Sequence, residues 1–278
     1  MNTDEIPKAK RAAVPAGMLE VIREDYNGSG KLSGKTAIIT GGDSGIGRSV
    51  AVMFAREGAD IAIVYHSSDK DARVTCKMVE QENRRCSLYK GDIADEAFCR
   101  ETINHIHSVF GSIDILVNNA GTHEEDTNFL EISSEQFKRT FEVNMFSIFY
   151  FSQEALKFMK VGSSIINTAS VVAYRGSDHL IDYSSTKGAI VSFTRSLAKN
   201  LAEKEIRVNA VAPGPVWTPL VIASFDTDHL EKFGKSTPMK RAGKPSEIAP
   251  AFLFLASADA SFITGQVIHV NGGEIVGG

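Results

Sequence analysis

From Lys35 to Val270 the chain repeats one pattern: a short apolar run, a turn rich in Gly, Asn or Pro, then a stretch of helical period. The apolar runs fall at 35–40, 60–65, 87–89, 113–117, 164–168, 207–211 and 267–270. The helical stretches fall at 48–56, 71–83, 96–110, 133–159, 182–201 and 246–255. Strands this apolar need cover on both faces, and a helix between successive strands supplies the crossover that parallel pairing needs. The alternation predicts one α/β domain, a parallel sheet with helices on both faces. In such a sheet, ligands bind outside the carboxyl ends of the strands.

Four polar loops fall at those ends. The first, Gly41-Gly42-Asp43-Ser44-Gly45-Ile46-Gly47, lies between a strand and a helix. Gly41 permits a tight turn, Gly45 lets backbone approach a pyrophosphate, and Gly47 lets the helix pack close to the strand. The helix N-terminus adds unpaired N–H groups and a partial positive charge. This is the context of a dinucleotide site. The second strand ends in Tyr65-His66-Ser67-Ser68, with no acid before Asp69. An acid there would bond both ribose hydroxyls and repel a 2′-phosphate, whereas Arg or Lys would clamp one. Neither is present, so NAD and NADP both remain open. Asp92, with Ile93 beside it, is placed to accept from an adenine amino group or to cap a turn. Asn119, Ala120 and Gly121 leave room for a flat group, or form a plain Asn-Gly loop. Pro213, Gly214, Val216 and Thr218 stop any helix and expose backbone polar groups at the sheet edge.

Tyr183 and Lys187 share one face of the helix at 182–201, a turn apart. A phenol ionises near pKa ~10, and a Lys ammonium one turn away is expected to pull it toward neutrality. Ser170 ends the strand before that helix, so its hydroxyl can bond the oxygen that Tyr183 protonates. Asn144 sits in the middle of the stretch 133–159. Either its side chain bonds backbone and kinks the helix, or it faces solvent. Val171, Tyr174, His179, His123 and Trp217 are pocket candidates whose mixed character suits a sugar, polyol or small ketone. For the two histidines, a solvent-facing loop position is the plain alternative. Residues 220–242 read as a mobile lid carrying Lys235, Lys240 and Arg241, with Lys244 beyond.

Other classes are argued against by composition. A net charge of −4 gives no basic signature for nucleic acid. Cys76, Cys86 and Cys99 have no metal-ligand spacing and read as reduced thiols of a cytoplasmic protein, with no metal expected. No apolar run reaches the ~18 residues of a membrane span. Met1–Lys10 lacks an apolar segment behind its charges, and Asp4 and Glu5 argue against a transit peptide. Residues 1–31, with Pro7, Pro15 and Gly28-Ser29-Gly30, read as an extension ahead of a domain at 32–278. It either packs on the surface, packs on a neighbouring subunit, or is disordered.

Taken in order, Thr40-Gly41-x-x-x-Gly45-x-Gly47, Asn118-Asn119-Ala120-Gly121, Asn144, Ser170, Tyr183 with Lys187, and Pro213-Gly214 resemble the short-chain dehydrogenase/reductase family from about Leu32 to Gly273. Within it, the chain is most similar to N-terminally extended bacterial oxidoreductases of the glucose/ribitol dehydrogenase type. The resemblance implies a single doubly wound Rossmann domain with a mainly seven-stranded parallel sheet. It implies an alcohol or carbonyl substrate, with Tyr183 as general acid/base and Lys187 lowering its pKa and holding the nicotinamide ribose. It further implies that Ser170 orients the substrate oxygen and that Asn144 holds a proton-relaying water. The cofactor would be bound by Gly41, Asp43, Ser44, Ile46, Asp92, Asn119 and the 213–218 turn, with Val216 and Thr218 near the carboxamide and a phosphate. A homotetramer is expected, with the Tyr183 helix and the long helix before it at an interface. The alternatives are a 3-ketoacyl-thioester reductase using NADPH and a non-catalytic NAD(P)-binding redox sensor.

Overall fold

The structure, a computed structural model, describes residues 7, 10 and 12–276. The rest of the extension's first eleven residues, and 277–278, lie outside the described residues. In chain order the elements are β1 (Thr36–Thr40), α1 (Gly45–Arg56), β2 (Asp60–Tyr65), α2 (Asp69–Gln81), β3 (Cys86–Lys90), α3 (Glu96–Phe110) and β4 (Ile115–Asn118). They continue with α4 (Ser134–Phe141), a π turn (Glu142–Phe146), α5 (Ser147–Ala155), β5 (Ser164–Thr168), α6 (Val172–Arg175), α7 (Ile181–Leu201) and β6 (Arg207–Pro213). Last come α8 (Pro219–Ser224), α9 (Thr227–Lys232), α10 (Pro245–Ala256) and β7 (Val267–Val270).

The strands form one parallel seven-stranded sheet in the order β3-β2-β1-β4-β5-β6-β7. Alternation along each strand sends neighbours to opposite faces. Ile39, Ile61, Ile63 and Val117 pack with Val50 and Phe54 of α1 and Phe252 of α10. Ile38, Ala62, Val64 and Leu116 pack on the other face with Ile103 of α3, Phe151 of α5 and Leu201 of α7. Each such side chain contributes about 1.5–3 kcal/mol by leaving water. Since β1 pairs with both β2 and β4, the chain reverses direction across the sheet there. The crevice between their carboxyl ends is the topological switch point at which ligands bind.

The described part of the extension packs on the chain's own surface. Ala13, Val14 and Met18 lie against a cluster of Leu180, Trp217, Ile222 and Phe225. Ser49 Oγ donates to Val21 O at 2.7 Å, and Ser246 N donates to Glu20 O at 3.1 Å. The buried Glu57 carboxylate accepts from Ser29 N at 3.0 Å, Lys31 N at 2.8 Å and the Tyr26 hydroxyl. A buried charge persists only when so satisfied.

Two expectations change. The stretch 133–159 is no single helix: α4 and α5 are joined by the π turn around Asn144. The lid at 220–242 contains two short helices, α8 and α9, begun by Thr218 and Asp226, whose side chains accept from Val221 N and His229 N.

Candidate active site

A cavity of about 1190 Å³ opens at the switch point. One wall is mostly backbone. Gly41 and Gly45 hold positive φ of 64° and 52°. A Cβ on Gly41 would sit 3.0 Å from Ala120 Cα, and one on Gly45 would sit 3.3 Å from Thr218 Cγ2. Gly47 does not line the cavity. A Cβ there would lie 2.1 Å from Gly41 O, so its role is the close packing of helix on strand. Ser44 is the N-cap of α1 but makes no side-chain cap bond, and the first turn carries no acid. The amides of α1 are thus left for an anion. Thr40 Oγ1 accepts from Asn119 N at 3.0 Å and Ala120 N at 3.1 Å, and Asn119 Nδ2 donates to Thr40 O at 3.1 Å, pinning the two loops together. This cradle fits a dinucleotide.

Every other cofactor candidate lines the cavity: Asp43, Ser44, Ile46, Tyr65, His66, Ser67, Asp92, Ile93, Asn119, Ala120, Gly121, Pro213, Gly214, Val216 and Thr218. Burial pushes the Asp43 carboxyl above its ordinary value. At the end of β2, the nearby acid Asp69 is taken: Tyr65 OH donates to it at 2.9 Å and Lys90 Nζ at 3.0 Å. Asp92 is also engaged, by Ala94 N at 3.0 Å and by Arg139 at 2.8 Å.

Opposite the glycine turn, Ser170, Tyr183 and Lys187 line the same cavity. Lys187 Nζ donates to Thr168 O at 2.7 Å and lies 5.2 Å from the Tyr183 ring centroid. Burial pushes the Lys187 ammonium down to about 7. Burial also pushes the Tyr183 phenol up to about 12, against the pull of its hydrogen bond with Ser170. The expected lowering of the phenol by Lys187 is therefore absent in this structure, because enclosure disfavours both charged forms. Asn144 is fully buried and does not line the cavity. Its Oδ1 accepts from Thr122 N at 2.8 Å, and its Nδ2 donates to Thr122 O at 2.9 Å and to Thr186 Oγ1 at 3.2 Å. Of its two sequence alternatives, the backbone-bonding one holds.

Among the pocket candidates, Val171, His123 and His179 line the cavity and Tyr174 and Trp217 do not. Tyr174 packs edge-on against His269, and Trp217 is buried against Phe233. Trp217 follows Val216 in extended chain, and alternation turns its ring into the packing beneath the lid. His123 lies edge-on to Tyr183 at 5.2 Å, 8% exposed, with no hydrogen-bond partner for either ring nitrogen among the described residues. Burial, then the nearby Lys187, push it down to about 4, so it is neutral at pH 7.

Sequence reasoning missed Asp182, a buried carboxylate that accepts from Thr140 Oγ1 at 2.6 Å and Tyr183 N at 2.7 Å, tying α4 to the start of α7. It also missed Arg139, Phe225 and His229, which line the cavity. The Asp226 cap ahead of 227–232 was the one available signal for α9.

A doubly wound sheet with an open helix N-terminus at its switch point, facing a Ser, a Tyr and a Lys across one cavity, defines a nucleotide-dependent oxidoreductase. Comparison with known proteins makes this specific. A family model described as enoyl-(acyl carrier protein) reductase matches residues 41–274. The NADPH-dependent aldehyde reductase 1, chloroplastic, of Arabidopsis thaliana is 49% identical, over 91% of this chain and 90% of that one. The glucose and ribitol dehydrogenase of Daucus carota is 47% identical, over 91% and 89%. A short-chain dehydrogenase from Burkholderia cenocepacia J2315, solved with NADP, superposes with a TM-score of 0.83 at 31% identity, covering 87% of this chain and 98% of that one. The chain belongs to the short-chain dehydrogenase/reductase family, NAD- or NADP-dependent enzymes acting on CH–OH groups.

Proposed function

We propose that this protein reduces small hydroxylated aldehydes or ketones with NADPH, and oxidises the corresponding alcohols with NADP, in the cytoplasm. The observation that carries the reading is the enclosed Ser170–Tyr183–Lys187 group on the cavity that also holds the glycine turn. When bound, the nicotinamide supplies or accepts the hydride. Tyr183 gives its proton to the carbonyl oxygen during reduction and takes it back during oxidation. Ser170 bonds the same oxygen as it gains charge. Lys187 holds the nicotinamide ribose and favours the phenolate once the cofactor alters its surroundings. Asn144 fixes the loop after β4 and the start of α7, and the proton relay passes beside it.

NADP is favoured because the acid nearest the end of β2 is tied up by Tyr65 and Lys90, leaving a 2′-phosphate little to repel it. The NADP bound by the Burkholderia cenocepacia protein and the name of the Arabidopsis thaliana enzyme agree. His123 favours a substrate with a second oxygen: a buried neutral imidazole beside Tyr183 can bond a hydroxyl next to the reacting carbon. The thioester-reductase reading needs a basic docking face, but Arg241 is paired with Glu247 at 2.6 Å and Lys244 with Glu20 at 2.8 Å. A homotetramer is supported by Phe137, Phe146 and Phe149, exposed along α4, the π turn and α5. The described residues 12–31 act as a strap on the domain that follows.

The test compares NADPH and NADH oxidation across hydroxylated and simple aldehydes. Hydroxylated substrates with NADPH are expected to be fastest. Tyr183→Phe should bind NADPH normally and lose about 10²–10⁴-fold of kcat. Undiminished turnover in that variant refutes the assignment.

A further inference from the structure

Three side chains that the hydride chemistry does not use meet beside the cavity. Glu125 lies in the loop after β4, His179 just before α7, and His229 in α9. Glu125 Oε1 is 3.9 Å from His179 Nε2 and 3.7 Å from His229 Nδ1. The three ligand atoms lie within 4.8 Å of one another, and all three residues are half-buried. These separations are too long for direct hydrogen bonds. They suit an interposed ion: with bonds of ~2.0–2.1 Å, the ligand atoms of a tetrahedral site stand ~3.3 Å apart. Small side-chain rotations close the difference.

Contacts hold both rings in place. Asp178 Oδ1 lies 2.8 Å from His179 Nδ1, which keeps the proton on that nitrogen and turns the Nε2 lone pair toward Glu125. The His229 ring stacks on Phe225 at 4.1 Å and 6°, and Asp226 accepts from its backbone N at 2.7 Å. Among the described residues, the two histidines are the ion-pair partners of Glu125.

We propose that Glu125, His179 and His229 form a binding site for a divalent transition ion of the zinc class, with three protein ligands and an open fourth position. Two imidazoles and one carboxylate match zinc, whereas calcium and magnesium ask for more oxygen ligands in larger or octahedral shells. The three ligands come from three segments, and His179 and His229 themselves line the cavity. A bound ion would clasp α9 to the loops facing it.

The experiment is equilibrium dialysis of Zn²⁺ against tag-free protein carrying Cys76→Ser, which removes a competing thiol, with thermal unfolding run in parallel. One ion per chain is expected. His179→Ala and His229→Ala should each weaken binding by at least ~100-fold, and Asp178→Asn by ~10–100-fold. Zn²⁺ should raise the melting temperature of the parent and not of the ligand variants. If a histidine variant does not fold, Glu125→Gln removes the anionic ligand while keeping its shape. Absence of binding at millimolar Zn²⁺, or binding unchanged in every ligand variant, overturns the proposal. Either outcome leaves the oxidoreductase reading untouched, since that is tested by turnover of Tyr183→Phe.

Discussion

The cavity has two walls built by different means. The wall assigned to the cofactor consists of the β1–α1 turn, the ends of β2 and β4, and the turn after β6. Its shape comes from backbone: glycines where a Cβ would collide, and amides and carbonyls pinned by Thr40 and Asn119. The wall assigned to the substrate is made of side chains, with His123 and His179 brought in from two loops, Phe225 from the link between α8 and α9, and His229 from α9. Backbone shape tolerates few changes, because a clash moves whole strands. Side-chain shape can be retuned, because each residue alters one contact. On this assignment the first wall would preserve the cofactor site and the second would set what reacts there.

The sharpest way to break this comparison is at Gly47. A Cβ there meets Gly41 O at 2.1 Å and Asn119 Nδ2 at 2.7 Å. Both are held in place, so Gly47→Val should cost at least ~3 kcal/mol, the upper part of the usual overpacking range. Expression yield and the urea midpoint measure it. A folded Gly47→Val protein with undiminished NADPH affinity would show that the cofactor wall is as adaptable as the other.

Lys187 lies between the walls and gives the next effect. Its folded pKa of about 7 is below the ordinary 10.5. Between those values the unfolded chain holds a proton that the folded chain lacks, so the cofactor-free protein gains stability as pH rises through that window. Lys187→Met removes this dependence. Relative to the parent, the variant should become more stable toward pH 7, by up to about 1.4 kcal/mol per pH unit. Urea unfolding at several pH values from neutral to alkaline reads it. Parallel pH profiles for parent and variant would mean the ammonium is not depressed by burial.

The same division explains what the sequence revealed. Backbone demands leave fixed marks, as in Gly41, Gly45 and Gly47 at their spacing, and so does a side-chain pair set by helical period, as in Tyr183 one turn from Lys187. Convergence of side chains leaves no such mark. Tyr174 and Trp217 looked like pocket residues by their mixed character, yet each turns away into packing. Glu125 and His229 are far apart in sequence, and their approach follows from how α9 folds over the cavity. The π turn at Asn144 was legible only as a conflict, a poor helix former inside a helical stretch, which tertiary bonds to Thr122 and Thr186 settle. Spacing placed Lys187 beside Tyr183 but could not show the enclosure that raises the phenol and lowers the ammonium in the cofactor-free protein.

The smallest predicted effect probes the substrate wall alone. Phe225 is 4% exposed, stacked on His229, with its ring centroid 5.5 Å from that of His123. Phe225→Leu keeps an apolar side chain in the cluster with Trp217 and Leu230 but removes the flat face. Losing three buried carbons leaves a small cavity, a cost of about 1–3 kcal/mol to stability and short of a full Phe→Ala deletion. Cofactor affinity should stay within about twofold, since no glycine-turn contact passes through Phe225, and kcat should change little because Ser170 and Tyr183 keep their supports. KM for hydroxylated aldehydes should rise several-fold, a change of about 1 kcal/mol in substrate binding. Steady-state kinetics with NADPH, beside a fluorescence titration of the cofactor, separates the two. A matching loss of NADPH affinity would mean that lid packing reaches the glycine turn, so the walls would have to be treated as one coupled unit.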